Sequence, residues 1–132
     1  MPMQAVFYRD PSGNEPVLEF LTALPDRKRV VIENQLDRLN MQEPGGPPLP
    51  QPWTSQIEGE LCEFRAHYGE EHYRVLYRRS GNLLILLHMI RKTTDSVPRG
   101  AVAIAKERWI DFKRRMDSAK RAPPRAAGHD AP

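Results

Sequence analysis

Apolar and polar side chains alternate in two stretches near the middle of the chain, at residues 60–67 and 72–79. A period of two is typical of β-strands with one buried face. Residues 83–90 (LLILLHMI) form a nearly continuous apolar run, which predicts a central strand covered on both faces. Ser80-Gly81-Asn82 separates the last two stretches and is a tight-turn signal. The pattern therefore predicts three consecutive antiparallel strands.

The N-terminal third has a different periodicity. Residues 3–9 read as a short first strand, and a turn signal follows them. Apolar residues then recur at three- and four-residue steps in residues 17–24 and again in 32–39. Pro25 lies between these stripes, where it ends one helix and starts the next. This part predicts an antiparallel helical hairpin.

The C-terminal part predicts one more helix. Pro98 lies at its start, and an apolar stripe runs through residues 102–116. Residues 43–51 (EPGGPPLPQ) predict a loop, and residues 118–132 a disordered basic tail after a single domain at residues 1–117. The order β-α-α-β-β-β-α predicts an α+β fold with a mainly antiparallel sheet and helices packed on one face.

Cationic side chains occupy alternate positions of the predicted sheet. If the hairpin pairs Arg65 with Arg74, Arg78 follows on the same face, and Arg91-Lys92 comes directly after the apolar strand. A strand that only builds a core does not need arginine at these positions. The pattern suggests that an anionic ligand docks on this surface.

Composition narrows the class of protein. With 39% hydrophobic and 28% charged residues the chain resembles a globular protein, and its longest apolar run, at residues 83–87, is too short to span a membrane. Residues 1–60 carry five basic and nine acidic side chains, whereas residues 99–132 carry nine and four. A basic second half favours a polyanionic or acidic partner. The single Cys62 and the absence of a secretory pattern indicate a cytoplasmic protein.

Four segments in order resemble the RelE/ParE toxin superfamily and, within it, the phage-derived HigB-like toxins. They are residues 57–65 (IEGELCEFR), 73–77 (YRVLY), 86–98 (LLHMIRKTTDSVP) and 105–108 (AKER). The resemblance implies a RelE-like fold and the toxin component of a type II toxin–antitoxin system. It further implies an endoribonuclease, an mRNA interferase that cleaves mRNA in association with the ribosome. The expected partners are mRNA, the ribosome and a cognate helix-turn-helix antitoxin.

The implied chemistry is attack of a ribose 2′-oxygen on the adjacent phosphorus, without a metal or cofactor. Cations near the phosphate stabilise the charge that develops on its oxygens, and a base and an acid move the protons. Onto this sequence the resemblance carries catalytic roles for Arg65, Arg74, Lys92 and His88. For RNA binding, charge makes Arg78 and Arg91 candidates for contact with the RNA backbone, and the aromatic ring of Tyr73 could stack on a base. No spacing typical of metal ligands is present.

Each candidate also has a structural interpretation. Arg65 could pair with Glu63 or Glu71, His88 could be a hydrogen-bonded core residue, and Tyr73 could be a half-buried strand tyrosine. Two other functions remain open. One is a ParE-like toxin that inhibits DNA gyrase by binding, and the other is a non-enzymatic, phage-derived interaction module.

Overall fold

The computed structural model of the protein describes residues 3–43, 53–92, 96–117 and 126–127. Their helices and strands are, in chain order, β1 (Gln4–Phe7), α1 (Pro16–Thr22), α2 (Asp26–Leu36), a 3-10 helix (Asp37–Met41), β2 (Thr54–Glu58), β3 (Leu61–Tyr68), β4 (Glu71–Ser80), β5 (Leu83–Arg91) and α3 (Arg99–Met116). The loop predicted at residues 43–51 lies, beyond Glu43, outside the described residues.

The five strands form one sheet in the order β1-β5-β4-β3-β2. The strands from β2 to β5 pair antiparallel with their neighbours, and β1 pairs parallel with β5. The predicted α+β class and mainly antiparallel sheet are confirmed, and the arrangement is compatible with a RelE-like fold. Gly69 and Gly81, with φ of 59° and 61°, occupy the turns of the β3–β4 and β4–β5 hairpins, where glycine adopts left-handed backbone without strain.

β2 is a strand that the periodicity did not predict. It pairs with β3 at the edge of the sheet, with Thr54 opposite Phe64 and a register shift between Gln56 and Glu58. Only Thr54 among its five residues is buried, so the strand carries little of the apolar alternation that marks β3 and β4. Backbone pairing with a neighbour, which no local pattern reports, makes this segment a strand.

Helices cover both faces of the sheet, so the prediction that they pack on one face is wrong. α1 and α2 bury an apolar core against one face, which contains Val17, Leu21, Ile32, Leu36, Phe64, Ala66, Tyr73, Val75, Tyr77, Leu84, Leu86 and Met89. α3 buries a second core against the other, which contains Val6, Tyr8, Leu61, Leu76, Ile85, Leu87, Ala101, Ala105 and Phe112. The reason lies in β5, because its side chains are apolar on both faces and each face needs cover.

α3 confirms the predicted last helix. Pro98 precedes its first residue, and three basic side chains occupy its last turn, where they meet the negative end of the helix dipole. Ala105 and Phe112 of the predicted stripe are buried, and Trp109 is partly buried. Within the described ranges, no helix combines the length and the apolarity that crossing a bilayer requires.

A buried polar cluster joins α3 to β1. The Tyr8 hydroxyl donates a 2.6 Å hydrogen bond to Asp111 Oδ2, and Arg115 Nε donates to the same oxygen at 3.1 Å. Burial raises the pKa of the Tyr8 hydroxyl, and the neighbouring Asp111 carboxylate raises it further. Burial also acts to raise the pKa of Asp111, but the hydrogen bonds from Arg115 and Tyr8 outweigh it and hold that pKa below its ordinary value. The cluster therefore ties α3 to the residue that follows β1.

Two residues of the predicted disordered tail pack against β1. Ala126 and Ala127 are 1% and 2% exposed. Arg9 N–H donates to the Ala126 carbonyl at 2.8 Å, and Tyr8 forms an antiparallel bridge with Ala127. The prediction is therefore wrong at these two residues, because the outer edge of β1 offers free backbone groups for pairing. The rest of the predicted tail, residues 118–125 and 128–132, lies outside the described residues.

Candidate functional site

The register of the sheet brings basic side chains into two neighbouring rows on one face. Arg65 lies opposite Arg74, and His67 lies opposite His72 two residues nearer the hairpin turn. Lys92 follows β5, and its N–H donates to the His72 carbonyl at 2.7 Å. Paired residues, and residues two apart on one strand, point to the same side of a sheet. All five side chains therefore share the face on which α3 packs.

These five residues line one cavity of about 410 Å³, together with Trp53 and Ala66. The cavity lies at the end of the face that carries the β3–β4 turn. His67 and His72 are exposed, and the Arg65 side chain is 34% exposed. The cavity is therefore open to a ligand as large as a nucleotide.

The Glu63 carboxylate lies beside both Arg65 and Arg74. Its side chain is 7% exposed, and its Oε1 accepts hydrogen bonds from Arg65 Nε at 3.2 Å and Ser55 Oγ at 2.8 Å. Arg74 Nε lies 3.2 Å from Glu63 Oε2, which is ion-pair distance, although no aligned hydrogen bond joins the two atoms. Of the ion pairs considered for Arg65, the one with Glu63 is present.

Three cationic side chains lie in the described part of the site. Arg74 is 5% exposed, and burial lowers the pKa of its guanidinium; Glu63 opposes this shift, and the nearby Arg65 adds a smaller lowering. A guanidinium remains protonated in proteins even so. Among the residues that the structure describes, the Arg65 and Arg74 guanidiniums and the Lys92 ammonium lie in one cavity, beside the Glu63 carboxylate. A cavity lined by three cationic side chains attracts anions, and the arginine forks match the geometry of a phosphate.

A protein-family model described as "Phage derived protein Gp49-like (DUF891)" matches residues 19–110, which is more than half of the chain. The protein belongs to the Gp49-like family. No curated protein matches the chain. The matched segment contains every residue that lines the cavity, whereas β1, Asp111 and Arg115 lie outside it.

His88, a candidate catalytic residue, lies outside the cavity of this Gp49-like protein. His88 pairs with Leu76 of β4, which is four residues along that strand from His72, the residue beside Lys92. The His88 Nδ1 lies 2.9 Å from Arg108 Nη1. Burial, and then the Arg108 charge, lower the pKa of His88 to about 4. The ring is therefore neutral at neutral pH and accepts a hydrogen bond from Arg108. This arrangement matches the interpretation of His88 as a hydrogen-bonded core residue.

Arg78 shares the face of Arg65 and Arg74, as predicted, but α3 covers it. Its guanidinium carbon lies 4.4 Å from the centre of the Trp109 ring, and its Nη2 donates to Glu60 Oε2 at 2.9 Å. It lines a separate cavity of about 190 Å³ beside α3. The contact with Trp109 follows from the packing of α3 on this face, which the sequence prediction did not include.

Arg91 and Tyr73 lie on the opposite face, where they pair with each other across β4 and β5. Tyr73 is 2% exposed, its ring meets Phe20 edge to face at 6.0 Å, and its hydroxyl donates to Glu71 at 2.7 Å. A ring buried in this way cannot stack on a base, so that prediction for Tyr73 is wrong. Arg91 is 62% exposed and lies 4.0 Å from Glu71, away from the cavity.

The sequence prediction missed His67 and His72 as residues of the site. The alternation that aligned Arg65 with Arg74 also aligns these histidines, provided that the turn contains only Gly69 and Glu70. That turn length was the available signal, because it sets the register of the whole hairpin.

Proposed function

We propose that this Gp49-like protein is a toxin that cleaves mRNA, the toxin component of a type II toxin–antitoxin system. The observation that carries the proposal is the convergence of Arg65, Arg74 and Lys92 on one open cavity. The RelE-compatible topology supports it, as does the association of the Gp49-like family with RelE-like toxins.

The reaction would begin when a ribose 2′-oxygen attacks the adjacent phosphorus and would end when the 5′-oxygen leaves. Negative charge grows on the non-bridging oxygens between these events. Arg65 and Arg74 would bind those oxygens, with the Arg65 guanidinium oriented by its hydrogen bond to Glu63 and the Arg74 guanidinium kept nearby by its ion pair with the same carboxylate. Preorganised cations stabilise the transition state without having to reorient during the reaction. Lys92, which lies beside His72, would add a third positive charge near the phosphate.

The substrate would be messenger RNA presented on the ribosome. An open cavity at the end of a sheet admits a single strand more readily than a duplex, because unpaired RNA can bend a single phosphate into it. The cognate antitoxin would be a helix-turn-helix protein that blocks this surface while it is bound.

The first test is induced expression in bacteria, with growth and mRNA integrity followed together. The wild-type protein should arrest growth and cut mRNA to leave 2′,3′-cyclic phosphate ends. Arg65→Ala and Lys92→Ala should each reduce cleavage by about 10²- to 10³-fold. Arg74→Lys should also impair cleavage, because it keeps the charge beside Glu63 but loses the fork.

Arg79→Ala is the matched control, because it removes the same charge from an exposed position at the far end of β4, where Arg79 Nε donates to the Gly81 carbonyl at 2.7 Å. Its cleavage rate should equal that of the wild type. Growth arrest with intact mRNA and inhibited gyrase supercoiling would instead identify a gyrase inhibitor. A protein that neither cleaves mRNA nor inhibits gyrase would instead be a non-enzymatic interaction module.

A further inference from the structure

We propose that His67 and His72 are the general acid and general base of the site. This inference rests on the proposed RNA cleavage and names the two proton-transfer groups that cleavage requires. The two rings lie side by side, with centroids 6.0 Å apart and planes at 33°. They lie directly across the β3–β4 hairpin from each other and line the same cavity as the arginines.

The distance to the arginine row suits one phosphate. Residues two apart on a strand are separated by about 6.8 Å, and neighbouring strands by about 4.8 Å. A phosphate bound by Arg65 and Arg74 therefore lies one step along the strands from the two imidazoles. In-line displacement places the attacking 2′-oxygen and the leaving 5′-oxygen on opposite sides of the phosphorus, so the base and the acid must be two separate groups. The imidazoles of His67 and His72, with centroids 6.0 Å apart, are two such groups.

The backbone of each histidine is held from outside the hairpin. β3 extends beyond its pairing with β2 at this point, and the side chain of Gln35 on α2 takes the place of a strand. Gln35 Nε2 donates to the His67 carbonyl at 2.8 Å, and the His67 N–H donates to Gln35 Oε1 at 2.9 Å. On the other side, the Lys92 N–H donates to the His72 carbonyl. Gln35 is therefore a positioning residue for His67.

Both imidazoles are available for proton transfer. They are exposed, and across the described ranges no hydrogen bond to another side chain engages either ring. The charged groups that face them are Arg65 on β3, Arg74 on β4 and Lys92 after β5, with Glu63 beneath the arginines. An imidazole ring can accept a proton at one nitrogen or donate one from a nitrogen, which is what a general base and a general acid require.

The steps balance without another reactant. The neutral histidine takes the proton of the 2′-hydroxyl as the bond from O2′ to phosphorus forms. The bond from phosphorus to O5′ breaks, and the protonated histidine gives its proton to O5′. The products are a 2′,3′-cyclic phosphate and a 5′-hydroxyl, and exchange with water restores the two protonation states.

The test uses the full chain and purified ribosomes programmed with a short mRNA. His67→Gln and His72→Gln should each slow single-turnover cleavage by about 10²-fold or more, since a positioned acid or base contributes 10²- to 10⁴-fold. Binding of the mRNA complex should stay within about twofold of the wild type, because the arginines remain. Each variant should also lose one limb of the wild-type pH–rate profile. Glu70→Gln, an exposed change in the turn between the histidines, is the matched control and should behave as the wild type.

A second substrate assigns the roles. A 5′-bridging sulfur at the cleavage site leaves as a thiolate and needs no proton, so it should restore cleavage by the variant that lacks the acid and not by the other. Restoration of neither variant, or of both, would overturn the assignment. Wild-type rates and pH profiles in both variants would overturn the inference while leaving RNA cleavage intact. A wild-type protein that cleaves no RNA would instead overturn the proposed function itself.

Discussion

Glu63→Gln probes directly how the arginine pair is held. The Glu63 and Arg74 side chains are 7% and 6% exposed, with 3.2 Å between Oε2 and Nε. The substitution keeps the size of the side chain but leaves Arg74 buried without its counter-ion. Removing one partner of a buried ion pair costs about 3–5 kcal/mol, because the remaining charge is uncompensated. The amide oxygen can still accept from Ser55, so we expect the lower end of that range.

Urea denaturation measures this loss as a shift of the unfolding midpoint at constant slope. The matched control is Glu60→Gln, the same change in an exposed pair with Arg78, where the side chains are 78% and 32% exposed. Exposed pairs contribute about 1 kcal/mol or less, so this control should shift the midpoint little. Equal losses in the two variants would refute the claim that Glu63 and Arg74 form a buried pair on which the fold depends.

The same substitution separates binding from chemistry. Glu63→Gln adds one positive charge to the cavity, so the affinity for RNA should hold or rise. Arg65 loses the carboxylate that accepts its hydrogen bond and Arg74 loses its ion-pair partner, so the cleavage rate at saturating substrate should fall by about tenfold or more. Weaker binding at an unchanged rate would contradict the positioning role of Glu63.

Three further predictions concern stability. Asp111 has a pKa held below its ordinary value of 3.8, so its contribution to stability is present above that pH and is lost as the pH falls through the lowered pKa. Asp111→Asn should lower the urea midpoint at pH 7 and weaken its acid dependence below pH 3.8, and an unchanged midpoint at pH 7 would contradict the role of the Tyr8 cluster. His88 has its pKa lowered from 6.5 to about 4, so the unfolded chain binds more protons in that window and stability falls as the pH drops through it. His88→Gln should make the urea midpoint depend less on pH between pH 6.5 and 4. An unchanged pH dependence in this variant would refute the argument that burial lowers the pKa of His88. Ala127→Asp should cost about 2 kcal/mol or more by burying a charge beside β1, and Ala103→Asp on the exposed face of α3 should be near neutral in the same thermal melt.

Much of the fold could be read from periodicity. The alternation in β3 and β4 placed Arg65 and Arg74 on one face, and the register confirms it. The continuous apolar run of β5 predicted a strand covered on both sides, which both cores confirm. These predictions succeeded because a strand places alternate residues on opposite faces, a local rule that needs no knowledge of distant segments.

Other features depended on contacts between distant segments. β2 has no apolar pattern of its own and exists through its pairing with β3. α3 carries one apolar stripe that would fit either face of the sheet, and the second apolar face of β5 is what attracts it. The burial of Tyr73 and the cover over Arg78 both follow from where helices pack. Local propensity does not report such choices.

The sequence by itself determined the strand alternation, the turn positions and hence the rows of cations that any antiparallel pairing would align. The tertiary structure decided which of those cations meet in one cavity. Arg65, Arg74 and Lys92 line one cavity together with His67 and His72. His88 and Arg78 instead contact α3, and Arg91 and Tyr73 lie on the opposite face of the sheet. The physical reason is that side-chain direction follows from a two-residue period, whereas exposure depends on which helix covers each face.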